Sequence, residues 1–524
     1  MTILLDQLIS ALPQDIVFDI PANLDIPIEG IVMDSRLVKP GYLFVALPGT
    51  SVDGHRFIPS AIQNGAAAII GSEVQGKLSL PYIHVSDSRK AMAYISAAFY
   101  GFPARQLTVI GVTGTDGKTT TVNLIYSILK AAGINTGVIS TVNAIIGDQI
   151  MDTGFHVTTP EAPEVQYYLA QMAFQKPNPV SHVILEATSH GLAQHRVTAC
   201  EFDLAVFTNI THEHLDYHKT FEAYRDAKSM LIKHLADTIV KIKGNYRKVV
   251  LNQDDASFDY LKTLADSGLP SNHVISYGLS QNADFYPQSI ISNKEGMQFQ
   301  VNTPFGSFKI ETALIGSHNV SNILAALAAS VGGLGIDLSA AIEGIARMKG
   351  VEGRMERIDY CQNFTAIVDF AHTPNALKVA LETVRQVTSG RVIAIFGSAG
   401  LRDREKRRMM AENAAQLADI SIMTAEDPRT ESLDAILAEM AKGMDNQGGI
   451  EGKTYWRIPD RREALRFAVN IAAANDLVIA FGKGHEQSMC FGDVEYAWDD
   501  RTALRAAITE RLGIPGPAMP FLPT

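Results

Sequence analysis

The sequence predicts an α/β protein of three domains, each built on a mostly parallel sheet flanked by helices. Short apolar runs rich in β-branched residues recur along the chain, and stretches with helical spacing separate them, as in successive βαβ units. Several of these runs end in polar or glycine-rich segments, where an open parallel sheet places its ligand edge. A length of 524 residues also exceeds what one hydrophobic core supports.

Residues 1–102 alternate "GIVMDS", "YLFVAL", "AAAIIGS" and "YIHVSD" with helical stretches and end at the junction "GFPARQ", which makes a small N-terminal α/β domain. The central domain, 103–348, opens on "LTVIGVTGTDGKTTTVN" and continues through "SHVILEATSHG" and "FDLAVFTNITHEHLDYH". A third series, 349–512, runs through "FTAIVDFAHTP", "RVIAIFGSAG", "ADISIMTAED" and "DLVIAFGKGHE" and reads as a doubly wound, Rossmann-like domain. The Pro-rich end, 513–524, is expected to be disordered.

The most informative stretch opens the central domain. Leu107 to Val112 is short and apolar, and "KTTTVNLIYSILKAAG" sets Val122, Leu124, Ile125, Ile128 and Leu129 at helical spacing before Gly133. The turn between them, Gly114, Thr115, Asp116, Gly117, Lys118, Thr119 and Thr120, is therefore a strand-to-helix phosphate cradle. Backbone N–H groups and the helix N-terminus hold anionic oxygens, Lys118 adds a point charge, and the Thr119 hydroxyl can coordinate the Mg²⁺ that accompanies a nucleotide. The spacing departs from the common P-loop, because Val112 stands where the first glycine belongs.

Composition narrows the function. Hydrophobic residues make up 46% and the net charge is −11, with a mean hydropathy of +0.05. That describes a globular chain without a nucleic-acid surface, and the one dense basic patch, "REKRRMM", reads as a solvated helix face. The N-terminus lacks a basic n-region and a long apolar segment, so neither secretion nor membrane insertion is expected and the cytoplasm is the expected compartment. Cys200, Cys361 and Cys490 lie far apart without metal spacing, which fits a reducing compartment.

Around the phosphates, Glu186 and His214 fall at the ends of apolar runs, where a carboxylate and an imidazole could hold a second Mg²⁺. Each alone is a weak signal: a single histidine in a chain with fourteen is more often a packing or surface residue than a ligand, and Glu186 could cap a following helix. Lys228, within "AYRDAK", reads as a solvent-facing helix residue.

Taken together, "GVTGTDGKTTT", "EATSHGLAQHRV", "VFTNITHEHLDYH", "AYRDAK", "GSHNVSNILAA", "GRMERID", "DFAHTPNAL" and "GKGHE" resemble the Mur ligases in order and spacing over nearly the whole chain, and the MurE type most. The resemblance implies an ATP-dependent amide ligase that adds the third, diamino acid to the D-Glu carboxylate of UDP-MurNAc-L-Ala-D-Glu through an acyl phosphate. It makes Lys118, Glu186, His214 and Lys228 catalytic. Thr119, Glu186 and His214 become magnesium ligands, with Lys228 as a CO₂-derived carbamate. Asn209, Asn319, Arg354 and Asp369 join the P-loop in binding ATP. Ser35, Asp53, Thr158, Thr159, Thr188, Gln194 and Arg196 match contacts to the UDP-muramoyl-dipeptide, while Arg407, Glu426, Asp427, Arg429, Gly482 and Glu486 match those to the amino acid. A monomer is expected.

Three positions depart from the family pattern: Asp116 stands for the common Asn, Phe370 for Tyr, and "EDPR" for the D-N-P-R of diaminopimelate-adding members. The anion at Asp427 tips the expected amino acid toward lysine or ornithine rather than meso-diaminopimelate. Competing readings are another Mur or folylpolyglutamate-type ligase, a P-loop ATPase coupled to motion, and an idle Mur-like scaffold or amidotransferase partner. An idle scaffold would be expected to have lost Lys118, Glu186 or Lys228, and all three are present.

Overall fold

A computed structural model of the chain describes residues 2–49, 52–76, 78–140, 143–147, 149–151, 159–211, 213, 215–242, 244–293 and 295–523. The predicted His214 and Thr158 fall outside the described residues.

The N-terminal sheet has five strands in the order Val17–Asp19, Tyr82–Val85, Ala68–Gly71, Tyr42–Val45 and Gly30–Val32, parallel except at the first edge. Its helix Ser88–Phe99 starts at Asp87, whose side chain accepts the Arg89 and Lys90 N–H groups. Ala162 and Ala199 of the central region join the apolar cluster of this domain, and Asp87 also pairs with His195 at 3.3 Å.

The central sheet has eight strands. Six run parallel in the order Thr136–Ile139, His182–Glu186, Thr108–Thr113, Leu204–Phe207, Lys248–Asn252 and Val274–Tyr277, and a hairpin, Ala144–Ile146 with Gln149–Met151, extends one edge. The parallel strands are apolar along their length because helices cover both faces. The P-loop strand Thr108–Thr113 lies between the strands ending at Glu186 and at Phe207, so the connections leave it on both sides. This is the switch point at which open α/β sheets bind ligands.

The C-terminal sheet orders Glu356–Ile358, Thr365–Asp369, Leu477–Phe481, Val392–Phe396, Ile420–Met423 and Tyr455–Arg457, with only the first antiparallel to its neighbour. Asp369 ends one of these strands, and Glu426 and Gly482 follow the carboxyl ends of two others.

The end of the chain differs from expectation. Residues 514–523 form no helix or strand, yet Leu522 is buried and Met519 packs beside it in the C-terminal core. The prolines that make the composition look disordered also pre-set an extended backbone, and two apolar side chains suffice to anchor it. Burying a leucine contributes about 1.5–3 kcal/mol. Deleting residues 514–524 is therefore expected to lower the stability of the C-terminal domain by about 2 kcal/mol, read as a lower Tm; an unchanged Tm would show that the packing contributes nothing.

Candidate active site

The phosphate turn is shaped by two glycines. Gly114 has φ +151° and Gly117 φ +81°, and a Cβ at either would collide with Thr208 Oγ1 or Asn322 Oδ1. Asn209 clips the turn from the neighbouring strand: its carbonyl accepts the Thr115 N–H at 2.7 Å, its Oδ1 accepts the Asp116 N–H at 2.9 Å, and its Nδ2 donates to the Asp116 carbonyl at 3.1 Å. Asn209 thus shapes the loop. Beyond the turn, Lys118 Nζ donates to the Thr115 carbonyl at 2.7 Å, and Thr119 Oγ1 donates to Glu186 Oε2 at 3.0 Å. Thr119 and Glu186 together offer the hard oxygen donors that Mg²⁺ requires.

Lys228 is not on a solvent-facing surface. On the helix Phe221–Asp237 it lies on the same buried face as Tyr224, Leu231 and Leu235. Its Nζ donates to the Gly114 carbonyl and sits 4.6 Å from the Tyr224 ring centre, while the Tyr224 hydroxyl reaches Thr115 Oγ1 at 3.0 Å. Burial, with the Lys118 ammonium second, holds the Lys228 amine well below its ordinary pKa against the pull of Glu213, Asp116 and Glu186. Asp116 is pushed up by burial and by Glu213, against Lys118, Arg354 and Lys228.

A second polar cluster adjoins the first. Thr159 Oγ1 donates to the Glu186 carbonyl at 3.2 Å and meets Thr188 Oγ1 at 3.0 Å. Arg196 donates to the Thr159 carbonyl at 2.6 Å and to Gln194 Oε1 at 2.8 Å, and pairs with Glu161 at 2.8 Å. Thr159, Thr188, Gln194 and Arg196 are therefore contiguous with Glu186.

Ser35 and Asp53 stand apart, in the N-terminal domain. The Ser35 carbonyl accepts from Asn64 and Asp53 pairs with His55 at 2.7 Å. Asp53, His55 and Glu73 lie close together, but His55 Nε2 already accepts the Ser72 N–H at 2.9 Å, which leaves the ring no lone pair for a metal.

Towards the C-terminal domain, Asn319 donates to the Ile315 carbonyl and accepts from Asn322 at 3.0 Å. Asp369 accepts the Met355 and Ala371 N–H groups at 2.7 and 2.9 Å, and the Arg354 guanidinium lies 4.3 Å from the Phe370 ring centre. Phe370 thus keeps the aromatic face, which forms the stack without a hydroxyl. His318, half-buried with its Nδ1 enclosed and unpartnered, feels both Asp369 and Asp116, so it lies between the two nucleotide-side clusters.

In the C-terminal domain two expectations need correction. Arg407 is fully buried and gives its fork to Glu431 and Glu439, with Nη1 2.8 Å from each and Nη2 2.7 Å from Glu431. It braces the domain and does not present a free fork to a substrate. Asp427 is not an unpaired anion either: Lys483 Nζ lies 3.0 and 3.1 Å from its two oxygens. The Arg429 guanidinium has no hydrogen bond or ion pair among the described residues, while the Arg429 backbone N–H donates to the Cys490 carbonyl at 3.1 Å and its carbonyl accepts the Gly492 N–H at 2.8 Å; both Asp427 and Arg429 hold positive φ, strain of the kind that collects at functional turns. Glu426 lies against Gly482 with Oε2 unpartnered, and burial pushes its carboxyl up to about 7, helped by Asp427 and Glu486 and opposed by Arg461 and Lys483.

Sequence reasoning missed Lys483, Tyr224 and Asn322. Tyr224 was within reach, since it precedes Lys228 by one helical turn.

The central domain shapes a phosphate-type cradle beside Glu186, and the C-terminal domain gathers charged side chains at its own sheet edge. That division of labour defines a nucleotide-driven ligase. Family models match in succession: the Mur ligase family catalytic domain over residues 27–100, the Mur ligase middle domain over 112–330 and the Mur ligase glutamate ligase domain over 353–484. A UDP-N-acetylmuramyl-tripeptide synthetase of Roseiflexus sp. is 42% identical over 94% of this chain and 96% of its own length. A UDP-N-acetylmuramoyl-L-alanyl-D-glutamate–2,6-diaminopimelate ligase of Geobacillus thermodenitrificans is 42% identical over 92% and 95%. A solved structure of a ligase of that same description superposes with a TM-score of 0.67 at 32% identity, covering 98% of this chain and 100% of the other. The chain belongs to the Mur ligase family, and it is an ATP-dependent ligase of peptidoglycan precursor synthesis.

The raised Glu426 pKa sets a sign for pH dependence. Between the ordinary value of 4.5 and about 7 the folded state holds a proton that the unfolded state has lost, so stability is full at low pH and declines as pH rises through that window. The loss is on the order of 3 kcal/mol. Glu426→Gln is expected to flatten this decline in urea melts between pH 5 and 8; an unchanged slope would place the titration elsewhere.

Proposed function

We propose that the protein joins 2,6-diaminopimelate to the D-Glu carboxylate of UDP-MurNAc-L-Ala-D-Glu. The observation that carries this reading is the hydrogen-bonded continuity from Arg196 through Thr159 to Glu186 and Thr119, which sets a polar acceptor site directly against the phosphate cradle. The substrate carboxylate attacks the γ-phosphorus of ATP, ADP leaves, the amine then attacks the acyl carbonyl, and phosphate departs with one former carboxylate oxygen.

Lys118 and the P-loop N–H groups offset repulsion between the two anions and stabilise the transferring phosphoryl group. Thr119 and Glu186, with His214 by resemblance, would hold magnesium, which supplies further positive charge there. The Lys228 amine, buried and favoured neutral, has the lone pair that CO₂ requires; carbamylation with loss of a proton would turn it into an anionic oxygen donor. The choice of amino acid reverses the lysine or ornithine expectation, because the unpaired charge at Asp427 on which it rested is covered by Lys483. The relatives whose printed names specify 2,6-diaminopimelate support the same choice.

Phosphate release from purified protein, ATP and UDP-MurNAc-L-Ala-D-Glu is expected only when a diamino acid is added, with diaminopimelate preferred over lysine and ornithine. Release without any acceptor would favour the motion-coupled ATPase. Lys118→Ala is expected to lower kcat by about 10²- to 10³-fold.

Lys228→Ala is expected to be inactive and partly restored by formate or acetate, since a small carboxylate replaces the missing oxygen donor. Full activity of the alanine variant without additive would remove the carbamate from the mechanism.

A further inference from the structure

The Lys483 side chain is fully buried between two acids. Its ammonium lies 3.0 Å from Asp427 Oδ1 and 2.5 Å from Glu486 Oε2, and the Cys490 N–H fixes Asp427 Oδ1 at 2.9 Å. Burial alone would depress the Lys483 ammonium, but Glu486 and Asp427 outweigh it and push it up, so the charge persists. The backbone of Arg429, two residues beyond Asp427, is held by Cys490 and Gly492, but its guanidinium has no hydrogen-bonding or ion-pair partner among the described residues.

The formal charges of four of these side chains therefore balance: Asp427 and Glu486 are acids, Lys483 and Arg429 bases, and burial holds the neighbouring Glu426 toward its protonated form. A neutral pocket with one uncommitted guanidinium suits a substrate end that is itself a zwitterion, with an ammonium for the acids and a carboxylate for Arg429. An end with an ammonium alone would leave Arg429 unpaired.

We propose that Lys483 is a specificity-determining residue: by cancelling the charge of Asp427 it lets the pocket accept a second carboxylate on the incoming amino acid. The inference rests on the ligase reading above and concerns the same site. Lys483 acts through Asp427, and its effect follows the sign of the local charge, which a merely structural role would not do. Removing the cation leaves one excess anion and favours a lysine-like end. Removing the anion leaves one excess cation and favours the dicarboxylic substrate more strongly. Removing both returns the balance.

The experiment is a competition between equimolar lysine and diaminopimelate with UDP-MurNAc-L-Ala-D-Glu and ATP, on the full chain and on K483Q, D427N and the double variant. If the parent incorporates neither amino acid, the ligase reading itself fails. With an active parent, K483Q is expected to shift the product ratio at least tenfold toward lysine, with KM for ATP within twofold. D427N is expected to shift it toward diaminopimelate, and the double variant to return within about threefold of the parent. Ratios that do not change, or that move the same way in both single variants, overturn the proposal. If K483Q does not fold, as read by circular dichroism, the contrast between D427N and the double variant decides: equal ratios in those two overturn it.

Discussion

The register of the strand Thr108–Thr113 between its two parallel neighbours is the constraint on which the site depends. Val112 pairs with Glu186 and Thr113 with Phe207, so Glu186 arrives beside the phosphate turn and Asn209 reaches over it. Side-chain period in a strand is two residues and the rise about 3.3 Å, so a two-residue slip would keep every apolar contact on its face while moving Glu186 by roughly 7 Å. The strand apolarity alone does not prevent that slip. The polar clips do: Thr119 and Thr159 hold Glu186 on one side, and on the other Asn209 satisfies the Asp116 peptide at both its N–H and its carbonyl while Tyr224 holds Thr115.

The second organising feature is paired burial of charge. The C-terminal domain takes several ionisable groups out of water and gives each an opposite charge. Arg407 has Glu431 and Glu439, Arg461 has Asp500, and Lys483 has Asp427 and Glu486. Groups without such partners are the ones available to substrates. Among the described residues Lys228 finds a backbone carbonyl but no acid at salt-bridge distance, and the Arg429 guanidinium has neither hydrogen bond nor ion pair.

The phosphate loop, its strand and helix, and the polar strand ends were legible locally, because backbone geometry and glycine placement write themselves into adjacent residues. Lys228 was legible only through family resemblance, although its spacing with Tyr224, Leu231 and Leu235 marks the buried face. Arg407 and Asp427 were misread for one reason: their partners are distant in sequence, Glu431 24 residues away and Lys483 56 residues away, and no local pattern reveals a partner brought by a different strand. The Pro-rich end was misread because composition averages over Leu522, whose burial decides the matter.

The central claim is that phosphoryl transfer and amide formation share one carboxylate. It is tested most directly by oxygen tracing. UDP-MurNAc-L-Ala-D-Glu carrying ¹⁸O in both oxygens of the reacting D-Glu carboxylate is turned over with ATP and diaminopimelate, and the inorganic phosphate is analysed by mass spectrometry. An acyl phosphate requires one labelled oxygen in each phosphate released and one retained in the amide. Phosphate free of label would mean that ATP is hydrolysed by water, and would contradict the account.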